Sequence, residues 1–408
     1  MDTLRLTVGI LFVVFASGNS TLALAKDVEQ PAELRFCETD APESNTMVPV
    51  SEATAEEPAS QVSAAPSGTK SQDNGPDGCC LPFCNNGCPC FYGQVEALFM
   101  KQDPQFARQP IIVTEPPFGS GNPATTLLST SDLGFNFDPG LRTTVGKRLC
   151  GCWALEFEYF GIFDGTASAV AVRPAGETIA FPNGPFGNVF SDMNTVQVKY
   201  SSSVQSFAVN LPCCCGCCDE CGCGETGCDG CGCGAVRCRS FEWFAGFRYL
   251  NVNQKLNISA QAEPAYPGAT PEEGSYDIGT SNNLFGAQLG ARLRRMWGRF
   301  GWEATGIAGI FGNAEQQTQT VNDYGYQWRN VSASGGQVAF VGELDCSALY
   351  RLTDVWNLKA GCTLMWIDGL ALAPDQLDFN FGTTNGSQLQ NGGAMFLQGV
   401  NLGLEARW

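Results

Sequence analysis

No histidine occurs anywhere in this 408-residue chain. Its absence removes the usual Ser-His-Asp arrangements, the zinc-protease helix motif and every metal site that needs an imidazole. Basic residues are scarce as well, 23 Lys and Arg against 41 Asp and Glu. The resulting formal charge of −18 argues against nucleic acid as a partner, because phosphates call for Lys and Arg. Long apolar runs are also missing. After the first 25 residues nothing approaches the roughly 18 unbroken apolar residues that a helical membrane span requires. Nor does any Gly-rich segment follow a strand and open a helix, so the 48 glycines are not a phosphate loop.

What is present sorts into zones. Met1–Ala25 reads as a secretory signal, with Arg5 in the basic start, an apolar stretch Leu6–Phe15, and Ala23-Leu24-Ala25 as a small-residue cleavage site before Lys26. Residues 26–77 are rich in Glu, Ala, Ser and Pro and hold 11 acidic and 3 basic residues. Such a composition cannot offset its ordering entropy by burial, so a disordered acidic tail is expected there. Residues 78–90 form a short Cys-rich segment that leads into a different texture.

From Phe91 onward the apolar residues recur with period two. Phe91, Gly93, Val95, Ala97 and Phe99 alternate with Gln94 and Glu96; Trp356, Leu358, Ala360, Cys362 and Leu364 alternate with Asn357, Lys359 and Thr363. That is strand periodicity. About ten strands result, near 91–101, 134–148, 153–162, 196–210, 241–254, 283–295, 300–311, 336–351, 355–366 and 394–408. A twelve-strand version stays open. Short turns alternate with long outer loops, 102–132, 163–195, 255–282, 312–335 and 367–393. This points to an all-β, antiparallel, up-and-down transmembrane barrel with short periplasmic turns. A soluble sandwich would also alternate, but here Trp and Tyr gather near strand ends, as in interfacial belts: Trp153, Trp243, Tyr249, Trp297, Trp302, Tyr350, Trp356, Trp366 and Trp408.

The opposite faces then enclose a polar lumen. The charges expected there are Glu96, Arg142, Arg148, Glu156, Glu158, Lys199, Glu242, Arg248, Arg292, Arg294, Glu303, Glu343, Asp345, Lys359, Glu405 and Arg407. The pairs Glu156/Glu158 and Glu343/Asp345 could in principle do acid–base work. As i, i+2 neighbours on one strand face they read instead as lumen charges balanced by Arg and Lys, and no enzyme activity is expected.

Four stretches carry a family likeness. "FYGQVEALFM" (91–100), "LLSTSDLGFNFDPGLRTTVGKRL" (127–149), "CWALEFEYFGIFDGTASA" (152–169) and "LQGVNLGLEARW" (397–408) resemble planctomycete outer-membrane proteins of the putative beta-barrel porin-7 family. The resemblance implies an outer-membrane barrel of such a bacterium and brings no catalytic motif with it. Between 196 and 395 it rests on strand pattern alone. The acidic tail and the Cys block go beyond the family pattern.

The 21 cysteines cluster. Five lie in 79–90, two flank a turn at 150 and 152, and eleven fall in 213–238, so most sit on the expected periplasmic rim, within an insertion at 211–240. Disulfides suit an oxidising periplasm. Cys221, Cys223, Cys228, Cys231 and Cys233 have spacings that could seat a soft ion, but they are dense rather than ordered into one four-ligand site. A low-complexity insertion is the third reading. The odd total leaves one thiol free or joined to another molecule, so disulfide-linked envelope proteins are candidate partners beside membrane lipid. Cys346 and Cys362 are equidistant from a turn near Asp354, which makes them expected cross-strand neighbours on the lipid side. Opposed positions strain a disulfide, so they read as two small apolar residues. No cofactor is expected. Two functions remain: a porin-like or small-solute channel, or a non-conducting structural and surface-display barrel. Ten strands make a narrow cylinder, since about eight are just filled by side chains and open channels belong to about sixteen.

Overall fold

The computed structural model describes residues 91–115, 124–149, 153–182, 188–215, 237–262 and 272–408 apart from 381 and 383. The expected signal, acidic tail, leading Cys segment and the cysteines at 221–233 lie outside the described residues.

Thirteen strands form: β1 (Phe91–Gln105), β2 (Pro110–Glu115), β3 (Thr125–Ser129), β4 (Phe137–Arg148), β5 (Ala154–Val172), β6 (Thr178–Ala180), β7 (Met193–Cys215), β8 (Arg237–Ala262), β9 (Glu273–Trp297), β10 (Phe300–Asp323), β11 (Tyr326–Arg351), β12 (Trp356–Leu370) and β13 (Gly393–Arg407). One short helix, α1 (Asn188–Ser191), precedes β7. Ten strands close a barrel in the order β1-β13-β12-β11-β10-β9-β8-β7-β5-β4, every neighbouring pair antiparallel. The seam joins the two ends of the wall: Phe91 and Trp408 exchange backbone hydrogen bonds at 2.8 and 2.9 Å, and Tyr92 pairs with Arg407. The remaining strands β3, β2 and β6 extend the sheet from β7 as a small cap. No described helix is long and apolar enough to cross a membrane.

The strand count is the expected ten, but the outer loops are shorter than expected because the strands run on. β10 and β11 are 24 and 26 residues long and meet in a two-residue turn, Tyr324-Gly325, with φ of 48° and 79°. Both residues are left-handed, the signature of a primed hairpin turn whose twist suits its strands. Residues 312–335, expected as a loop, are therefore almost wholly strand. A lipid-crossing strand needs only about 9–11 residues. The rest of these strands stands clear of any bilayer.

The outward face marks where that happens. Near the short-turn rim Trp153 meets Trp243 edge-on at 5.5 Å, Phe91 stacks on Trp408, and Phe300 lies 4.9 Å from Tyr350. Ten residues further along β11 and β12, Phe340 meets Trp366 at 6.1 Å; Tyr159–Phe207 and Tyr249–Phe285 continue that second ring. Between the rings the exposed residues are apolar, among them Phe247, Leu289 and Val400. Beyond the second ring the polarity inverts. On β8 the residues Asn251, Asn253, Lys255 and Asn257 now face outward while Val252, Leu256 and Ile258 are buried inside. Tyr249 OH donates to Asn283 Oδ1 at 2.8 Å, and Asn257 Nδ2 donates to Asp277 Oδ1 at 2.6 Å. A sheet in water puts its apolar side in; the same sheet in lipid puts it out.

Candidate functional site in the barrel interior

The interior is filled in layers. Each layer follows from the period of two, which sends alternate residues of every wall strand inward.

The layer nearest the short-turn rim is charged. Arg142 of β4 is its centre: its guanidinium pairs with Glu343 of β11, with Asp345 at 3.3 Å and with Glu96 of β1 at 3.7 Å. Arg248 of β8 bridges Glu343 at 2.9 Å and Glu158 at 3.0 Å. Lys359 of β12 reaches Glu96 at 3.0 Å, Glu303 at 3.2 Å and Asp345 at 3.5 Å. Closer to the rim, Arg294 pairs with Glu405 at 2.8 Å and Glu303 at 3.4 Å, and Arg292 with Glu156 at 3.2 Å and Glu242 at 3.3 Å. Arg407 binds Glu405 through Nε. Arg148 is half-buried at the end of β4. Ion pairs this deep persist only when their remaining lone pairs and protons are also met. Neutral inward residues do that for Asp345 and Glu156, while Arg142 Nε and Arg248 Nε are left without a hydrogen-bond partner. Thr363, Ser347 and Asn401 donate to Asp345 at 2.8, 2.8 and 2.9 Å, and Tyr92 OH donates to Glu156 at 2.9 Å. Arg142 also lies over the Phe160 ring at 5.3 Å. A residual cavity of about 20 Å3 among Arg142, Arg292, Glu343 and Lys359 has room for little more than a water molecule.

Lys199 is the exception to the expected set. Its neighbours Val198 and Tyr200 are fully buried and Lys199 is exposed, so it faces outward. It lies beyond the second aromatic ring, where the outside of the wall meets water and the inside is apolar.

The next layer is apolar and spans the lumen. Leu98, Met100, Phe160, Ile162, Val204, Leu250, Leu284, Phe311, Val341, Met365, Ile367, Met395 and Leu397 form one buried cluster, to which nine of the ten wall strands contribute. A lumen of this kind is packed rather than wet.

The loop rim is closed from two sides. The cap contributes Ile111, Ile112, Ile179, Phe181 and Phe190 to a second apolar cluster with Leu256, Ile258 and Tyr276 of the wall. Opposite, the link between β12 and β13 folds inward. Leu372 joins the central layer, while Leu377 and Phe379 join the cap cluster. Inward side chains of β8–β11 hold this link by its main chain. Asn282 Nδ2 donates to the Ala371 carbonyl at 2.9 Å, and the Ala371 N–H donates back to Asn282 Oδ1 at 2.8 Å. The Ala373 N–H donates to Gln254 Oε1 at 3.0 Å. Asn313 donates to Gly369 O at 2.8 Å, Gln319 to Gln376 O at 2.7 Å, and Gln317 to Gly386 O and Gln388 O at 2.9 Å each. Arg329 donates to Asp378 O at 2.8 Å and Asn380 O at 2.7 Å. Asp375 of the link accepts from the Ala107 N–H at 2.9 Å; burial pushes its carboxyl above the ordinary range and that hydrogen bond pulls the other way.

None of these amide residues stands out in the sequence as a candidate lumen residue. The signal was there in Asn313, Glu315, Gln317 and Gln319, a period-two polar run, but polar runs read as loop. Cys346 and Cys362, by contrast, pair directly across β11 and β12, both exposed on the outward face and unbridged. No described group of acidic or thiol side chains is arranged to hold a metal ion.

The family model described as "Putative beta barrel porin-7" matches residues 92–408. No curated protein matches the chain. Among solved structures, the outer membrane protease OmpT from Escherichia coli is similar at 7% identity and a TM-score of 0.40, covering 80% of this chain and 99% of its own. A Pseudomonas aeruginosa FadL homologue is similar at 8% identity and a TM-score of 0.24, covering 78% of this chain and 90% of its own. The P. putida toluene transporter TodX is similar at 7% identity and a TM-score of 0.23, with the same coverages of 78% and 90%. Likenesses of this size assign neither a substrate nor a reaction.

Proposed function

The chain belongs to the putative beta barrel porin-7 family and is an outer-membrane β-barrel protein, and from that premise we propose that it is a closed barrel, a structural and surface-display protein rather than an open channel. One observation carries the reading: the apolar layer from Leu98 to Leu397 crosses the whole lumen with its side chains at 0–2% exposure. An ion passing it would shed its water without any polar group in return, at a cost of many kcal/mol. The charged layer below adds to this, since its ions are already paired with one another. The inward link and the cap close the other mouth.

In this reading the short turns face the periplasm and the tall β8–β11 wall stands outside the cell. Its outward face there is amide- and hydroxyl-rich, suited to water and to polar surface partners. The test is a planar bilayer with purified full-length protein. No discrete current steps are expected across ±100 mV. Reproducible unitary steps, abolished by a blocking antibody to the outer wall, would return the protein to the small-solute channel reading.

A further inference from the structure

The lipid-facing surface carries its charge unevenly. From the short-turn rim up to Phe285, Ile310 and Phe340, the outward positions of β9, β10 and β11 hold a single charged residue, Arg295, and no acidic one. The Arg295 guanidinium lies over the ring of Trp297 at 4.8 Å, and that side chain is 41% exposed. Arg299, in the turn that joins β9 to β10, is exposed beside it. Arg292 and Arg294 of the same strand face the lumen and are paired with glutamates. Neither Arg295 nor Arg299 forms an ion pair among the described residues. The ladder position opposite Arg295 on β8 is Arg239, and like charges at opposed positions repel each other. A guanidinium stacked on an indole keeps its N–H edges free for an anion. This arc also holds the Phe300–Tyr350 pair of the first aromatic ring, the level at which lipid headgroups lie.

Moving from the arginines into the apolar belt, the outward side chains of β10 shrink. After Phe300 and Trp302 come Ala304, Gly306 and Ala308, and then Ile310, which is 69% exposed. The ladder sets Leu293 and Leu289 beside Ala304 and Ala308 on β9, and Leu344 beside Gly306 on β11. A Cβ built on Gly306 would meet nothing within 4 Å. The small residues therefore floor a shallow trough with leucine sides. At about 3.3 Å per residue it runs for about 13 Å along the strand, starting at the arginines. Small residues let an apolar chain approach the backbone closely.

We propose that the outward face of β9 and β10 at the short-turn rim is a binding site for an anionic phospholipid of the periplasmic leaflet. Arg295 and Arg299 take the headgroup phosphate, Trp297 supports Arg295, and one acyl chain lies in the trough over Gly306. The trough and the membrane level select a lipid over a free phosphate. The lack of an outward carboxylate selects an anionic headgroup over a zwitterionic one, whose ammonium would find no partner. The inference rests on the orientation given above, with short turns towards the periplasm. It uses no lumen group, so its failure is distinct from a failure of the closed-barrel reading.

The experiment titrates the full chain in detergent micelles with fluorescent phosphatidylglycerol, and with phosphatidylcholine of the same acyl chains. Phosphatidylglycerol is expected to bind about tenfold more tightly, as two basic residues near an anionic headgroup imply. Arg295→Gln together with Arg299→Gln removes that preference. Lys199→Gln together with Lys255→Gln, which takes two charges from the outer wall, keeps it. Gly306→Leu fills the trough, weakens both lipids by a similar factor and leaves their ratio unchanged. Millimolar inorganic phosphate does not displace the bound lipid. Equal binding of the two lipids, a preference that survives the double Arg variant, or one lost equally in the double Lys variant would overturn the proposal. So would an indifferent Gly306→Leu or displacement by inorganic phosphate, for the arginines would then hold any anion. Should the double Arg variant lack a folded barrel's heat-modifiable gel mobility, Arg299→Gln alone decides, since it alters only an exposed turn. The preference should then fall about threefold, and an unchanged one sinks the idea.

Discussion

Lys359 Nζ lies 3.0 Å from Glu96 Oε1 although β13 runs between their strands. The ammonium on β12 and the carboxylate on β1 therefore meet over the top of an intervening strand, and each is nearly inaccessible to water. Lys359 also serves Glu303 and Asp345. Replacing it by Met leaves three buried carboxylates short of a cation. A loss of about 3–5 kcal/mol is expected in urea unfolding of the detergent-folded barrel. Glu96→Gln in the same chain should restore part of it, and a loss below about 1 kcal/mol would contradict the buried arrangement.

Leu284 tests the apolar layer. It is fully buried at the level where the lumen is closed. Leu284→Ala is expected to cost about 2–5 kcal/mol, the usual range for a core leucine. The outward Leu289, 65% exposed, sits one belt lower on the same strand. Leu289→Ala should cost far less in detergent, and comparing the two midpoints separates lumen packing from lipid contact.

Asp375 gives the inward link a pH dependence. Its carboxyl titrates higher in the folded protein than in the unfolded chain, with burial as the cause. Folding then favours the protonated form. Stability is greatest below the ordinary Asp value of about 3.9 and falls as pH rises from there through the raised value. Asp375→Asn keeps an acceptor for the Ala107 N–H and removes the charge. The variant is expected to melt above the parent at pH 7 and level with it near pH 3.5. An unchanged difference across that range would contradict the assignment.

Cys346 and Cys362 face one another at a backbone-bonded position. The Leu352 N–H donates to Trp356 O at 2.9 Å, which makes 352/356 a hydrogen-bonded pair and, by the alternation of the ladder, 346/362 another. Such opposed residues are poorly placed for a disulfide. Both thiols should remain reduced in the purified protein. A membrane-permeant maleimide should label both, and a bulky charged one neither.

The turn at Tyr324-Gly325 offers a local test. Gly325→Ala places a side chain at a φ of 79°, and Tyr324 already stands at 48°. A left-handed residue with a Cβ costs about 1–2 kcal/mol. Gly325→Ala should speed hydrogen exchange at the hairpin tip without moving the global midpoint. Tyr324→Asn should slow it.

Much of the wall could be read from the residues. In 356–364 the alternation of Leu358, Ala360 and Cys362 with Lys359 and Thr363 assigns faces, and the pairing of Cys346 with Cys362 follows from their equal distance to a turn. The strand number follows from the same logic. Where reading failed, the environment changed along a strand. Charge on a lipid-embedded strand belongs in the lumen, which is why the sequence points Lys199 inward; in the structure its part of β7 has apolar Val198 and Tyr200 buried inside and Lys199 exposed outside. The hairpin 312–335 has too few apolar residues to announce a strand, and its inward Gln and Asn side chains gain their meaning only from a segment some sixty residues later. Contacts of that kind leave no periodic trace in either partner.

The seam between β1 and β13 has a consequence for how the protein is made. The strand that emerges last must find the one that emerged first, so until synthesis of the wall is complete two raw edges stay open to any extended chain nearby. Assembly is then all or nothing: nine strands in place give a sticky trough, and only the tenth gives a finished molecule. A chain that lacks its terminal wall strand should end as aggregate rather than as a smaller cylinder.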